Sequence, residues 1–269
     1  MFPHYNGKYT KRPSLSPQYF VKGNKVKLPD MAVLVYSSRI MRKLIKIFGG
    51  TRVASYKDKM FNSLGVYLSR SSGLAIVYLP IGAPITGIAT EELISKGVKH
   101  FLIVGFAGSL KDEIGHGNVI VCSKAIRDEG VSHHYARESM YAYPTKEFTR
   151  DIIKSMKREG MKFMVGPSWT IDTPYMETVD EIGHYSKRGV LTVEMESAAL
   201  FAIVDRYRRK GMKIEAGAIF IISDIVTKDI KEYEFVDTKK GFGGNKYFIR
   251  ERVEGIASVI KDLKKGRIH

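Results

Sequence analysis

The segment Val193-Glu-Met-Glu-Ser-Ala-Ala-Leu200 sets two carboxylates, Glu194 and Glu196, at the head of an otherwise apolar stretch. Acids at a helix start are favoured by the unpaired backbone N–H groups there, by some tenths of a kcal/mol to about 1 kcal/mol. That accounts comfortably for one acid and less well for two. A carboxylate fixed at a pocket wall has another use: it accepts from two vicinal hydroxyls at once, as a sugar 2′,3′-diol presents them. Asp224 ends the apolar run 216–222. There it either caps the next segment or, partly buried, holds or delivers a proton near neutral pH. Trp169, the only Trp, lies just past a predicted strand; core packing is its default place, and a flat ring beside a pocket also stacks on a base.

These residues need strand ends to hold them. Apolar runs at 31–36, 74–79, 101–104, 119–122, 162–165 and 216–222 read as strands. Between them, helical spacing covers 39–48, 86–96, 148–159 and 193–209, and an amphipathic helix covers 246–265. Strands alternating with helices predict an α/β fold with a mainly parallel sheet covered on both sides. Ligands of such sheets bind beyond the carboxyl ends of the strands. Four turns are predicted there: 36–39, 81–84, 105–109 and 223–224. Neither Gly-rich stretch has the spacing of a dinucleotide or Walker-type phosphate loop. Residues 1–30, with Pro3, Pro13, Pro17 and Pro29, read as an irregular arm, and 31–269 as a single domain.

Composition narrows the function classes. In 269 residues, 44% hydrophobic content supplies a substantial core and excludes intrinsic disorder. A single Cys122 excludes a disulfide framework and a multi-cysteine zinc site, and suits a cytoplasmic protein. No apolar run approaches a membrane span. The net charge of +16 invites a nucleic-acid reading, but the bases of 22–27, 206–213 and 261–267 fall on separate elements. One Gln and five Asn beside abundant Lys and Arg are what a heat-adapted chain tends to show.

Taken together, Val193-Glu-Met-Glu-Ser-Ala-Ala, the Ser223-Asp224 pair, Gly105-Phe-Ala-Gly108 after a strand, and Ala125-Ile-Arg-Asp-Glu-Gly130 resemble the nucleoside phosphorylase family, the group of purine nucleoside and uridine phosphorylases. The similarity runs from about residue 31 to Asp224. It implies a three-layer α/β/α sandwich around a mainly parallel, partly barrel-like mixed sheet. It further implies a homo-oligomer, a dimer or a hexamer built as a trimer of dimers, with phosphate as co-substrate and neither cofactor nor metal. Carried over by position, Met195 and Glu196 line the ribose, Asp224 is the acid on the purine side, and Trp169 lies against the base. Ala107 and Gly108 border the substrate, and Arg39 binds phosphate. C–N cleavage builds positive charge on the sugar and negative charge on the base, and a nearby anion and a proton answer the two.

The chain departs from the pattern at the phosphate turn. Where relatives carry Gly-Asp-Pro-x-Arg, it reads Val35-Tyr-Ser-Ser-Arg39; where they carry an arginine and a Ser or Thr around Gly105, it has Ile103 and Phe106. The lost donors are expected to be rebuilt from Arg39, Lys43, Ser37, Ser38 and Lys59 of a neighbouring subunit. Phosphorolysis of a purine nucleoside is the leading reading. A nucleosidase using water is the alternative on the same fold; a nucleic-acid-binding protein and an inactive ligand-binding member are the others. Arg127, His133 and His134 read as a structural loop, with a His at the sugar 5′ end as the minority reading, for which His4 is a second candidate.

Overall fold

The computed structural model describes residues 7–23, 25–53, 65–227 and 246–266. Its strands are β1 (Met31–Val35), β2 (Thr51–Arg52), β3 (Gly65–Ser69), β4 (Leu74–Tyr78), β5 (His100–Ser109), β6 (Val119–Asp128), β7 (Tyr141–Ala142), β8 (Met164–Ile171), β9 (Thr192–Glu194) and β10 (Glu215–Ile225). Its helices are α1 (Pro17–Val21), α2 (Ser38–Phe48), α3 (Ala83–Ser95), α4 (Ser132–Tyr135), α5 (Lys146–Arg158), α6 (Val179–Lys187), α7 (Ser197–Arg209) and α8 (Lys246–Lys265). The arm at 7–23 is less irregular than its prolines suggest: it carries a single turn at Lys8–Thr10 and the short α1, begun by Pro17, whose fixed φ suits a first helical position.

Five strands close into a barrel-like ring: β10 pairs with β5 and β6, β6 with β8, β8 with β9, and β9 returns to β5. From β5 the sheet continues outward through β1, β4, β3 and β2. The pairings β1–β4, β1–β5, β5–β10, β6–β8 and β8–β9 are parallel, so β1, β4, β5 and β10 end at one edge.

The apolar runs are continuous because both faces are covered. Side chains alternate across a strand, and in β1 Ala32 and Leu34 join one core while Met31, Val33 and Val35 join the other. The first core takes Ala89 and Leu93 of α3 and Leu200 and Phe201 of α7. The second takes Ile40 and Leu44 of α2, Phe148 and Ile152 of α5, and Val253 and Ile256 of α8. This is the expected three-layer α/β/α sandwich around a mainly parallel, partly barrel-like sheet.

Two boundaries differ from expectation, and both bear on the site. Residues 105–109 are the end of β5, because their amides pair with β10 and β9. The helix expected over 193–209 starts only at Ser197, since Thr192–Glu194 is drawn into the ring as β9.

Candidate active site

The two acids of the Val-Glu-Met-Glu segment do different work. Glu194, at the end of β9, accepts from Ser168 Oγ (3.2 Å), Thr170 Oγ1 (2.5 Å) and the backbone N–H groups of Glu196 (2.9 Å) and Ser197 (2.8 Å). The last two are free donors at the head of α7, so Glu194 caps that helix from the preceding strand. Glu196 occupies the position before α7 and turns away, accepting from Gly82 N–H (2.8 Å) and its own neighbour Met195 N–H (3.3 Å). Gly82 precedes α3, so Glu196 joins the starts of two helices. An ionised carboxylate has about four acceptor positions. Glu194 uses that number; Glu196 has two donors among the described residues and room for more. Burial, then the charge of Glu194, pushes the Glu196 carboxyl up to about 8. Met195, half-buried, lies between them.

Asp224 lies within β10 and not beyond it. The β10–β5 register shifts between Ile222 and Asp224, so that Ile222 faces Ala107 and Asp224 faces Gly108, with Ser223 as the additional residue. Ser223 Oγ donates to Asp224 Oδ1 (2.5 Å) and to Ala107 O (3.2 Å), tying the acid to β5. Gly108 is dictated by space: a Cβ there would stand 2.8 Å from Val226, 3.0 Å from Val193 and 3.1 Å from Asp224 Oδ2. Ala107 is buried in the first core.

A third acid belongs to this end of the ring. Glu177 follows the single helical turn Pro174–Met176, on the connection from β8 to α6. Burial, then the charge of Asp224, pushes its carboxyl up to about 7. Beside it Tyr175 is 95% exposed and Met176 62%. Neither Glu177 nor Tyr175 carries a motif; the available signal was an acid and an aromatic two residues apart in a strand-end connection.

Arg39 is the second residue of α2, half-buried, in a turn where Ser37 Oγ caps the helix by accepting from Arg39 N–H (3.2 Å). Ile103 is fully buried in the first core and Phe106 packs on the second, so neither offers a donor. Lys43 is not part of this turn: its Nζ is 2.6 Å from Glu254 of α8. Lys59 and His4 lie outside the described residues.

Two further expectations are resolved by contacts. Trp169 does not border a pocket. It is fully buried with Leu110, Val190 and Val193, its ring centroid is 4.9 Å from that of Tyr185, and its Nε1–H donates to Asp128 Oδ2 at 2.9 Å. A ring with no exposed face cannot stack on a ligand, and its indole donor is already used. Arg127 is a buried bolt: it donates to Ser132 Oγ (2.9 Å), Arg137 O (2.6 Å), Ser139 Oγ (2.9 Å) and Ala136 O (3.4 Å). Glu129 holds the same loop by accepting from Val131 and Ser132 N–H groups. His133 Nε2 lies 3.0 Å from Arg127 O and His134 Nδ1 3.0 Å from Lys8 Nζ, which supports the structural reading of that loop.

Clefts of about 740 Å³ under the N-terminal arm and about 480 Å³ beside Arg127 are lined by neither Glu196, Asp224 nor Arg39. Neither of these clefts is the strand-end cluster, which stands out by its chemistry. Among the described residues there is no group of three or more His, Cys, Asp or Glu arranged to hold a metal ion, and no helix is long and apolar enough to cross a membrane.

Comparisons with known proteins bear on the family and the fold. The chain is 32% identical over 146 residues to a guanosine phosphorylase of Halorubrum lacusprofundi, covering 54% of this chain and 58% of that protein. It is 31% identical over 137 residues to a uridine phosphorylase of Haemophilus influenzae, covering 46% and 54%. The chain thus spans somewhat over half the length of these curated relatives. The fold is shared with a solved uridine phosphorylase of Vibrio fischeri, at a TM-score of 0.73 and 23% identity, over 94% of this chain and 100% of that one. A model of the phosphorylase superfamily matches residues 48–245, and the chain belongs to that family.

Proposed function

We propose that this protein is a nucleoside phosphorylase that cleaves the N-glycosidic bond of a purine nucleoside with phosphate, releasing the free base and a pentose 1-phosphate. One observation carries the reading. At the carboxyl ends of the parallel strands, Glu196 keeps acceptor capacity open while Asp224 is fixed opposite Gly108 on the neighbouring strand. In this reading Glu196 accepts from the ribose hydroxyls, and two such donors favour its ionised form on binding. Its charge then steadies the oxocarbenium character of the sugar. Asp224 supplies a proton or hydrogen bond to the purine as the C–N bond breaks. Tyr175, rather than Trp169, is the ring against the base, and Glu177 faces the base beside Asp224. Arg39 holds phosphate. The relatives named above divide between guanosine and uridine, so the preference for purine rests on the carboxyl pair Asp224 and Glu177. We take the working form to be a cytoplasmic homo-oligomer, as the family resemblance implies.

The test is to incubate inosine, guanosine, adenosine and uridine with and without phosphate and to follow free base. Phosphate-dependent release from the purine nucleosides is expected. Release indifferent to phosphate would establish the second reading, a nucleosidase, which Ile103 and Phe106 favour by removing donors. No release from any of the four would refute both.

A further inference from the structure

Tyr36 directly follows β1, where the phosphate turn begins, and it packs on the same face of the sheet as the position that has lost its donor. Leu34 pairs with Ile103 on the neighbouring β5. Tyr36, two residues further, packs against the first core, as Ile103 does. Its ring lies beside Gly105, with Cδ2 4.0 Å from where a Cβ would stand. The half-buried Tyr36 therefore lies against the end of β5, where Gly105 and Ala107 carry only short side chains.

The phenol is not an isolated group. Tyr36 Oη and Thr86 Oγ1 are 2.9 Å apart, Thr86 Oγ1 donates to Gly82 O at 3.0 Å, and Gly82 N–H donates to Glu196 at 2.8 Å. Each hydroxyl has one proton. With the Thr86 proton on Gly82 O, the Tyr36 proton lies on Thr86, and the phenol shows only lone pairs. An arriving oxyanion reverses this order: Thr86 turns to donate to Tyr36, and Tyr36 donates to the anion. Gly82 O stays paired through the reversal, because Thr86 N–H also donates to it at 3.2 Å. No bond is made or broken; two hydroxyl rotors change direction.

We propose that Tyr36 and Thr86 form a reversible hydroxyl pair that binds the phosphate nucleophile beside Arg39, in place of the donors absent at Ile103 and Phe106. The assignment rests on the phosphorolysis reading, and its test is chosen to fail separately from it. Inorganic phosphate is titrated calorimetrically into the parent protein, Tyr36→Phe, Thr86→Val, Thr86→Ser and the Tyr36→Phe/Thr86→Val double variant, each first shown by its melting curve to be folded. A hydrogen bond to a charged partner predicts about tenfold weaker phosphate binding for Tyr36→Phe. Thr86→Val is weakened in the same direction, Thr86→Ser binds like the parent, and the double variant is much less than additive. In turnover, the KM for phosphate rises while the KM for nucleoside stays within about twofold. Parent-like phosphate binding by Tyr36→Phe, or a parent that binds no phosphate, overturns the proposal. A parent that binds phosphate through Tyr36 yet releases base equally without it upholds the pair and refutes phosphorolysis.

Discussion

Arg127 and Glu196 are both ionisable, both about 5% exposed, and both stand in segments that resemble one enzyme family, yet their surroundings are opposite. The Arg127 guanidinium is surrounded by acceptors from Ser132, Ala136, Arg137 and Ser139, so its charge is spent on holding a loop. Among the described residues Glu196 receives backbone donors from Gly82 and Met195 alone, and burial, then the charge of Glu194, raises its carboxyl to about 8. Burial of a charge is thus no mark of a site by itself. Incomplete satisfaction is the better sign, because a buried group short of partners is costly until a ligand supplies them.

Substitutions on each side can break that contrast. Asp224→Asn is expected to lower kcat/KM for purine nucleosides by about 10²–10⁴-fold, the range of a lost general acid; a loss under tenfold would transfer the proton to Glu177. Glu196→Gln, which keeps shape and removes charge, is expected to cost about a hundredfold in kcat/KM, read from the same base-release assay. Arg127→Met should instead appear in denaturant unfolding, with a stability loss of about 3 kcal/mol. Its folded fraction keeps the parent KM for nucleoside; a KM raised tenfold would place Arg127 in the site.

The acid–base behaviour gives a smaller effect with a definite sign. The folded chain holds the Glu196 proton between the ordinary 4.5 and about 8, where the unfolded chain has released it. Stability from this group is therefore fully present below the lower value and declines as pH rises through the upper one. Between pH 6.5 and 8.5, Glu196→Gln should flatten the measured decline by roughly 2 kcal/mol; an unchanged slope would assign the decline to other groups. Smallest is Trp169→Phe, which removes the bond to Asp128 and is expected to cost about 1 kcal/mol with no change in nucleoside KM.

Much of the fold was legible in the sequence because covered parallel strands read as apolar runs, and β1, β4 and β10 are such runs. The ring closure was not. It depends on β9, three residues long and carrying Glu194, which looks helical because the adjoining α7 dominates its neighbourhood. Likewise 105–109 reads as a turn from Gly105 and Gly108, although Gly108 is there to let β9 and β10 approach β5. At the site, the residue types Glu196, Asp224 and Arg39 are recognisable by motif. Trp169 misled because proximity to a strand end in sequence says nothing of which way a side chain faces. Glu177 and Tyr36 meet partners far along the chain, Asp224 and Thr86, and no local pattern encodes such pairs.

The additional residue in β10 has a consequence for how this enzyme family can change. The bulge takes up Ser223 without disturbing the pairing on either side, so Asp224 keeps its place opposite Gly108. Deleting Ser223 would leave an even ladder with the acid still opposite Gly108, and would remove the hydroxyl that ties the carboxyl to Ala107. A deletion at that single codon thus loosens the acid's tether to β5 without moving it along the strand, a change that no comparison of motif residues alone would reveal.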